Sequence, residues 1–221
     1  VRIAREGIPI LVALAIATLT VAGVATFGLD LSTSATLALL APPALATLFT
    51  AWFFRDPERS APADPAAVVS PADGKVLRVD PRGVSVFMNV FDVHVCRTPM
   101  AGRITRVERV AGSFLSAWRD EASEHNERAQ IVVDGRGREL RFTLVAGLVA
   151  RRIVCRVRPG QELATGERVG VIRFGSRVDV AFPPGAVLQV VRGQRVRAGT
   201  TVIARLADSG RSAPGGLAAK P

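Results

Sequence analysis

The order of apolar and polar positions divides the chain into two unlike parts. Ile8 to Phe27 and Leu31 to Phe54 are runs without a single charged side chain. Each is long enough to cross a hydrocarbon core of about 30 Å as a helix. Gly28-Leu29-Asp30 separates them, so the pattern predicts a transmembrane helical hairpin over residues 1–55, with helices at about 8–27 and 31–54. Pro42-Pro43 lies inside the second run and is expected to kink or split that helix, which leaves a re-entrant hairpin open. Residues 56–67 are rich in Pro and Ala and read as a linker. From residue 68 the pattern shortens to period two. Val68-Val69, Lys75–Val79, Val84–Val90, His94–Cys96, Ile104–Val110, Gln130–Val133, Leu140–Val145 and Ile153–Val157 are Val- and Ile-rich runs punctuated by Gly or Pro, the signature of short strands. Residues 158–170 and 190–202 share a small turn and similar glycine spacing, as compact barrel-sandwich domains do. The fold expected is therefore mainly β: a barrel-sandwich-like domain over 68–206, preceded by the membrane hairpin and followed by a disordered Gly/Ala/Ser/Pro-rich tail, 207–221.

Alternation continues from Arg168 through Phe174, breaks at Gly175-Ser176, and resumes to Phe182. This predicts two strands with a tight connection. The ordinary reading of such a break is a hairpin turn. The sharper reading is that Ser176 attacks the carbonyl of Gly175 and the chain cuts itself there.

Charge changes the picture of the partner. The charged residues among positions 1–54 are Arg2, Arg5, Glu6 and Asp30, which cancel, so the formal net charge of +10 resides on the remainder. A basic body behind an apolar end suits an anionic membrane surface. The basic residues are mostly arginines scattered singly, without a Lys/Arg block or zinc-finger spacing, which argues against nucleic acid as a partner. Arg2 and Arg5 precede the first span, Arg55 and Arg59 follow the second, and the connection carries no basic residue. The positive-inside rule then places both ends and the body on the cytoplasmic side of the cell membrane. Cys96 and Cys155 are isolated in apolar runs. They form neither a disulfide framework nor a metal knuckle and are expected as buried thiols in a reducing compartment. No metal site is expected.

Candidate chemistry is sparse. His94 and His125 are the two histidines. His94 is in phase with Asp92 and Cys96 on an expected strand, where a lone histidine is commonly a hydrogen-bonded structural residue. Asp73 belongs to an Asp-Gly pair, and an aspartate in such a turn commonly serves its own backbone. His125, Asn126, Glu127 and Arg128 close a polar stretch from Trp118. They read either as a solvated loop or as a loop whose polar groups complete a substrate or membrane-facing site.

Taken together, the motifs gain a meaning that none has alone. Phe53-Phe-Arg-Asp-Pro57, Ser70-Pro-Ala-Asp-Gly-Lys-Val76, Met88-Asn-x-x-Asp-Val-His-Val-x-Arg-x-Pro99 followed by Gly102, Asn126-Glu-Arg128, and Gly170-x-Ile-x-Phe-Gly-Ser-Arg-Val-Asp179 occur in that order. The chain resembles the phosphatidylserine decarboxylase family, in the short form that includes archaetidylserine decarboxylases, over residues of about 50–205. The resemblance implies a carboxy-lyase made as a zymogen. Autocatalytic serinolysis between Gly175 and Ser176 would leave a β chain 1–175 and an α chain 176–221, held as a heterodimer, with a higher oligomer left open. Ser176 would become an N-terminal pyruvoyl cofactor whose carbonyl takes the substrate amine and accepts the electrons released with CO2. By motif match, His94 is the base and Asp73 its orienting partner. His94 is then also the group that returns a proton to the product. Some family members carry two histidines three apart in this motif; Arg97 stands at the second place, where it would meet the lipid phosphate or the substrate carboxylate. The expected substrate is phosphatidylserine and the product phosphatidylethanolamine. Two alternatives remain: a non-enzymatic, membrane-tethered barrel-sandwich adaptor, and a decarboxylase of a related serine-headed lipid such as archaetidylserine.

Overall fold

A computed structural model describes residues 2–28, 32–112, 125–147, 153–173 and 176–206. A two-residue strand β1 (Arg2–Ile3) leads into helix α1 (Ile8–Gly23), which ends in a π-helical turn over Val24–Gly28. Helix α2 spans Thr33–Phe53 and starts at Ser32, whose hydroxyl accepts from the Ala35 N–H at 3.3 Å, a side-chain N-cap. Pro42-Pro43, expected to kink or split the helix, does not split it: α2 is helical throughout Thr33–Phe53. Each proline removes one N–H of the helix ladder without ending it. Threonine hydroxyls donate back into the helices, Thr47 to the Pro43 carbonyl at 2.8 Å and Thr18 to Leu14 at 2.7 Å. Their polar groups are thereby satisfied on surfaces that would otherwise face hydrocarbon. Both helical stretches are long and apolar enough to cross a membrane, with mean hydropathy 2.4 for Ile8–Gly28 and 1.5 for Thr33–Phe53. Only 6% of each is buried inside the protein, unlike the core helix of a soluble domain.

The strands follow in chain order. The first are β2 (Arg55–Asp56), β3 (Ala67–Val69), β4 (Gly74–Asp80), β5 (Gly83–Met88), β6 (Val95–Arg97) and β7 (Gly102–Val110). Next come β8 (Arg128–Gly135), β9 (Arg138–Ala146), β10 (Ile153–Cys155), β11 (Glu162–Leu163) and β12 (Arg168–Ile172). The last are β13 (Ser176–Ala181), β14 (Ala186–Leu188), β15 (Arg195–Val196) and β16 (Val202–Leu206). The largest sheet has eight strands in the order β11-β7-β8-β9-β13-β5-β4-β15. Two three-stranded sheets, β10-β12-β6 and β14-β16-β3, pack with it around one apolar core that includes Met88, Ile131, Phe142, Leu144, Ile172 and Ile203. The mainly β architecture with an apolar helical pair is the one the sequence pattern calls for.

The break at Gly175-Ser176 is not a hairpin. β12 belongs to the sheet with β6 and β10, whereas β13 lies between β5 and β9 in the large sheet. The period-two pattern located both strands, but alternation records only which face is buried, not which neighbour a strand pairs with. Gly175 itself lies outside the described residues, as do Trp118 to Glu124 of the polar stretch and the tail 207–221.

The two glycine-spaced segments, 158–170 and 190–202, occupy equivalent places in an approximate internal repeat. Ser70-Pro-Ala-Asp-Gly-Lys75 corresponds to Thr98-Pro-Met-Ala-Gly-Arg103. The Val69 N–H donates to the Pro99 carbonyl at 2.8 Å and the Arg97 N–H to the Pro71 carbonyl at 2.9 Å. Gly199 N–H bonds to Ser70 O at 2.8 Å as Gly166 N–H bonds to Thr98 O at 2.9 Å. The Ser70 and Thr98 hydroxyls each donate to the carbonyl two residues on, at 2.6 and 2.8 Å. Gly74 has φ +145°, and a Cβ there would collide with the Phe87 carbonyl, so the Asp-Gly motif requires glycine. The repeat breaks at one chemically important place: Asp73 corresponds to Ala101.

Residues 56–67, expected as a linker, are tied to the body. Asp56 is 6% exposed and accepts from Arg97 at 3.2 Å and Arg168 at 2.6 Å. Arg205 reaches Asp64 at 3.1 Å. β1 pairs with β2, and Glu6 forms an ion pair with Arg156. Both ends of the hairpin are thus fastened to the β body.

Candidate functional site

His94 precedes β6 and is 1% exposed. Its Nδ1 lies 2.9 Å from the backbone carbonyl of Asp92. A carbonyl can only accept, so Nδ1 carries the proton and Nε2 of the neutral ring carries the lone pair. Nε2 is buried without a hydrogen-bond partner among the described residues. The ring stacks on Phe53 with centroids 4.2 Å apart and planes 30° apart. Phe53 is the last residue of α2 and itself 1% exposed. Phe53 and Phe54 join Ala4, Val93, Val95 and Val171 in a second small core. The membrane-length helix therefore ends in the wall of the histidine site.

Burial lowers the His94 pKa from the usual 6.5 to about 4. The Arg55 charge adds to that effect, while the Asp92 carbonyl and the Asp73 charge oppose it. The ring is neutral at pH 7 and able to accept a proton. A consequence for stability follows from linkage. Between about pH 6.5 and 4 the unfolded chain protonates this ring and the folded one does not, so stability falls as pH drops through that window. At 1.36 kcal/mol for each pH unit the loss is roughly 3 kcal/mol. Denaturant unfolding of the detergent-solubilised protein at pH 7 and pH 4.5 is expected to show it, and His94→Gln to flatten it. An unchanged slope in His94→Gln would contradict the assignment.

Phe53→Leu is expected to loosen the stack and let water reach the ring. The His94 pKa then rises toward 6.5, which a pH–activity profile reads as a rightward shift of its acid limb. A profile identical to that of the wild type would mean that Phe53 does not shape the base.

Asp73 is close enough to act on His94 through space but makes no hydrogen bond to it. Its carboxylate is held by a bidentate Arg59, with Nη2 to Oδ2 at 2.8 Å, and by the Ala198 N–H at 2.8 Å. The hydrogen bond that orients the ring comes instead from the Asp92 backbone. The Asp92 side chain is fixed in turn by the Asn89 N–H at 2.8 Å and Arg195 at 2.9 Å.

Ser176 opens β13 and is completely buried, between Met88 of β5 and Ala146 of β9. Its Oγ has no hydrogen-bond partner among the described residues. Buried polar atoms are nearly always paired, so two orphaned groups of complementary chemistry, a hydroxyl and an imidazole nitrogen, mark a functional place. The Ile172 N–H bonds to the His94 carbonyl at 3.3 Å, which ties the histidine to the strand that leads to Ser176.

The remaining candidates divide. Arg97 is 3% exposed, with Nη1 on the Gly166 carbonyl at 2.9 Å and Nη2 on Pro57 O and Asp56 at 2.8 and 3.2 Å. These contacts fasten the segment after the hairpin to the body. Asn126 is completely buried, and its Nδ2 donates at 2.7 Å to the carbonyl of Ala146, the residue paired with Ser176. His125 is exposed, and Glu127 and Arg128 are half-buried. Cys96 and Cys155 are buried free thiols, and burial raises both their pKa values.

Comparison with known proteins decides the family. The family model for phosphatidylserine decarboxylase matches residues 46–204. The chain belongs to the phosphatidylserine decarboxylase family. It is 53% identical over 171 residues to the phosphatidylserine decarboxylase proenzyme of Solibacter usitatus, covering 76% of this chain and 83% of that one. The proenzyme of Syntrophus aciditrophicus is 47% identical over 209 residues, 89% of this chain and 94% of its own. That of Burkholderia multivorans is 43% identical over 215 residues, 92% and 96% of the two chains. As a member of the phosphatidylserine decarboxylase family the chain is a carboxy-lyase.

Within that family frame, sequence reasoning passed over three contributors: Phe53 against the imidazole, the Asp92 carbonyl, and Arg59 on Asp73. Phe53 and Arg59 belong to or adjoin the Phe-Phe-Arg-Asp-Pro motif. Its aromatics next to an arginine read as membrane-interface anchors. That reading suits Trp52, 53% exposed with Arg55 4.0 Å above its ring, but not the buried Phe53.

Proposed function

We propose that the chain is a membrane-anchored, pyruvoyl-dependent decarboxylase that converts phosphatidylserine to phosphatidylethanolamine and CO2 after cutting itself between Gly175 and Ser176. The observation that carries this is the buried Ser176 Oγ in the same protein as a buried neutral His94, with neither Oγ nor Nε2 hydrogen-bonded among the described residues. The word proenzyme in the relatives' names supports processing, and their named substrate favours phosphatidylserine over an archaetidyl lipid. It likewise disfavours a non-enzymatic adaptor.

His94 Nε2 takes the Ser176 Oγ proton, directly or through one water, as Oγ attacks the Gly175 carbonyl. The peptide bond becomes an ester. Elimination across Cα–Cβ of Ser176 releases Gly175 as a free carboxylate, and water then displaces ammonia from the dehydroalanine to leave a pyruvoyl end. Ser176 fits that role because it is held on both sides by strands of the other piece. β13, β15 and β16 pair with β5, β9, β4 and β3, so residues 176–221 stay docked as the α chain of a heterodimer with 1–175. A pyruvoyl group supplies an electron sink for the carbanion left when CO2 departs. His94 is the proton carrier for the second stage as well, and Asp73, held by Arg59, sets the charge around it. His125 to Arg128 border the substrate through Asn126, which fixes the Ala146 carbonyl beside Ser176. The hairpin 1–55 spans the cell membrane with the β body on the cytoplasmic side, beside the lipid substrate.

The intact mass of the purified protein tests the reading. Two chains are expected, 1–175 and 176–221, the smaller with a blocked N-terminus. A single uncut chain from active expression would sink it.

A further inference from the structure

Ser176 Oγ, His94 Nε2 and Arg173 Nε are buried side-chain polar atoms without a hydrogen-bond partner among the described residues. The first two belong to the reaction already described. The third has no role in it. Arg173 follows Ile172, whose N–H bonds to the His94 carbonyl at 3.3 Å, and precedes Ser176 by three positions. Four other arginines have partners. Arg55 donates to two carbonyls, Arg59 holds Asp73, and Arg97 and Arg168 hold Asp56. Arg173 makes no ion pair among the described residues, and its guanidinium lies 6.0 Å from the centre of the Phe54 ring. Arg173 is half-buried, but its Nε–H is shut away from water without an acceptor among the described residues; such a donor is costly, and an acceptor that arrives with the substrate explains its place.

We propose that Arg173 is the anion-binding residue for the lipid phosphodiester. This rests on the decarboxylase reading above. Two anionic groups of a serine phospholipid are candidates, and position and chemistry choose between them. Phe54 directly follows the membrane-length helix, so Arg173 stands at the membrane end of the site. The phosphodiester lies between the serine and the acyl tails and therefore meets that end first, while the amine reaches on toward Ser176. The carboxylate must leave as CO2. An arginine fork on it would stabilise the ground state more than the transition state and slow its loss. Held on the phosphodiester, the same fork contributes binding without opposing the chemistry.

The product keeps the phosphodiester and has lost the carboxylate, which makes it the discriminating probe. With short-chain phosphatidylserine in mixed micelles, Arg173→Gln is expected to raise KM about tenfold or more, the value of a charge-assisted hydrogen bond. The inhibition constant of short-chain phosphatidylethanolamine should rise in parallel, with kcat little changed. Arg173→Lys, which keeps the charge but not the fork, should fall between the two. A higher KM with unchanged product inhibition would assign Arg173 to the carboxylate and overturn the proposal, as would no change in either. Should Arg173→Gln not be cut, the same pair of constants is read in Arg173→Lys, where a rise in both is expected and none overturns. Binding of short-chain phosphatidylethanolamine to the Ser176→Ala chain gives a readout that needs no pyruvoyl group. Adding Arg173→Gln there is expected to weaken binding about tenfold; equal binding, or none by either chain, overturns the assignment. Failure of the wild type to cut itself would sink the pyruvoyl reading and leave this last comparison standing.

Discussion

Ser176→Ala is expected to remain a single chain of 221 residues and to lose decarboxylase activity entirely. The expectation rests on the absence of a substitute. The hydroxyl oxygen is both the nucleophile of the cut and the leaving atom of the elimination, and an alanine supplies neither. Misfolding does not explain the loss in advance. Ser176 Oγ is buried and makes no hydrogen bond among the described residues. Removing it strands no partner, and burying a methyl group in its place is near neutral or mildly stabilising. The position between Met88 and Ala146 already accommodates an alanine-sized neighbour. The variant should therefore be folded, uncut and inactive, with an unfolding midpoint close to that of a chemically uncut wild-type chain. Intact mass and a decarboxylation assay check this together. A fragment corresponding to 1–175 from Ser176→Ala would remove Ser176 as the nucleophile.

The second large effect belongs to His94. His94→Gln keeps a polar side chain of similar length but has no group that accepts a proton near neutral pH. General-base assistance is worth roughly a hundredfold to ten-thousandfold, so the cut should slow by that order and the purified protein should be mostly one chain. Whatever fraction is cut should turn over slowly as well. The geometry makes this substitution more telling than at an exposed histidine. The Asp92 carbonyl fixes the proton on Nδ1 and leaves Nε2 as the acceptor, so a change at this ring removes a base of defined tautomer. Normal cutting with lost turnover would confine His94 to the decarboxylation stage, and normal cutting with normal turnover would remove it from both.

The contrast between Asp73 and Asp92 shows where reading a motif stops. Both aspartates are visible in the sequence, and the motif match pairs Asp73 with His94. In the folded chain the Asp73 carboxylate is taken by Arg59 and the Ala198 N–H, and the ring is oriented by the backbone of Asp92. A side chain's partner depends on which segments converge, and Ala198 is 125 positions from Asp73. Arg97 makes the same point. An arginine in a catalytic motif invites a substrate role, yet its three acceptors come from Asp56, Pro57 and Gly166. Its neighbours in space secure the segment that joins the hairpin to the body.

The sequence by itself determined the apolar helical pair, the mainly β body, most strand positions and the motif order that names the family. All of these are local or periodic properties. A run of apolar residues is a span wherever it packs, and alternation marks a strand whatever it pairs with. It also placed Ser176 at a break between two strands. Only the tertiary structure decided that those strands part company there, β12 to one sheet and β13 to another. It alone decided that the end of α2 closes on His94 through Phe53, and that the Asp73 carboxylate is taken by Arg59 and the Ala198 N–H. These depend on pairings between residues far apart in the chain, which are fixed by the sum of burial and hydrogen bonding over the whole domain rather than by any stretch within it.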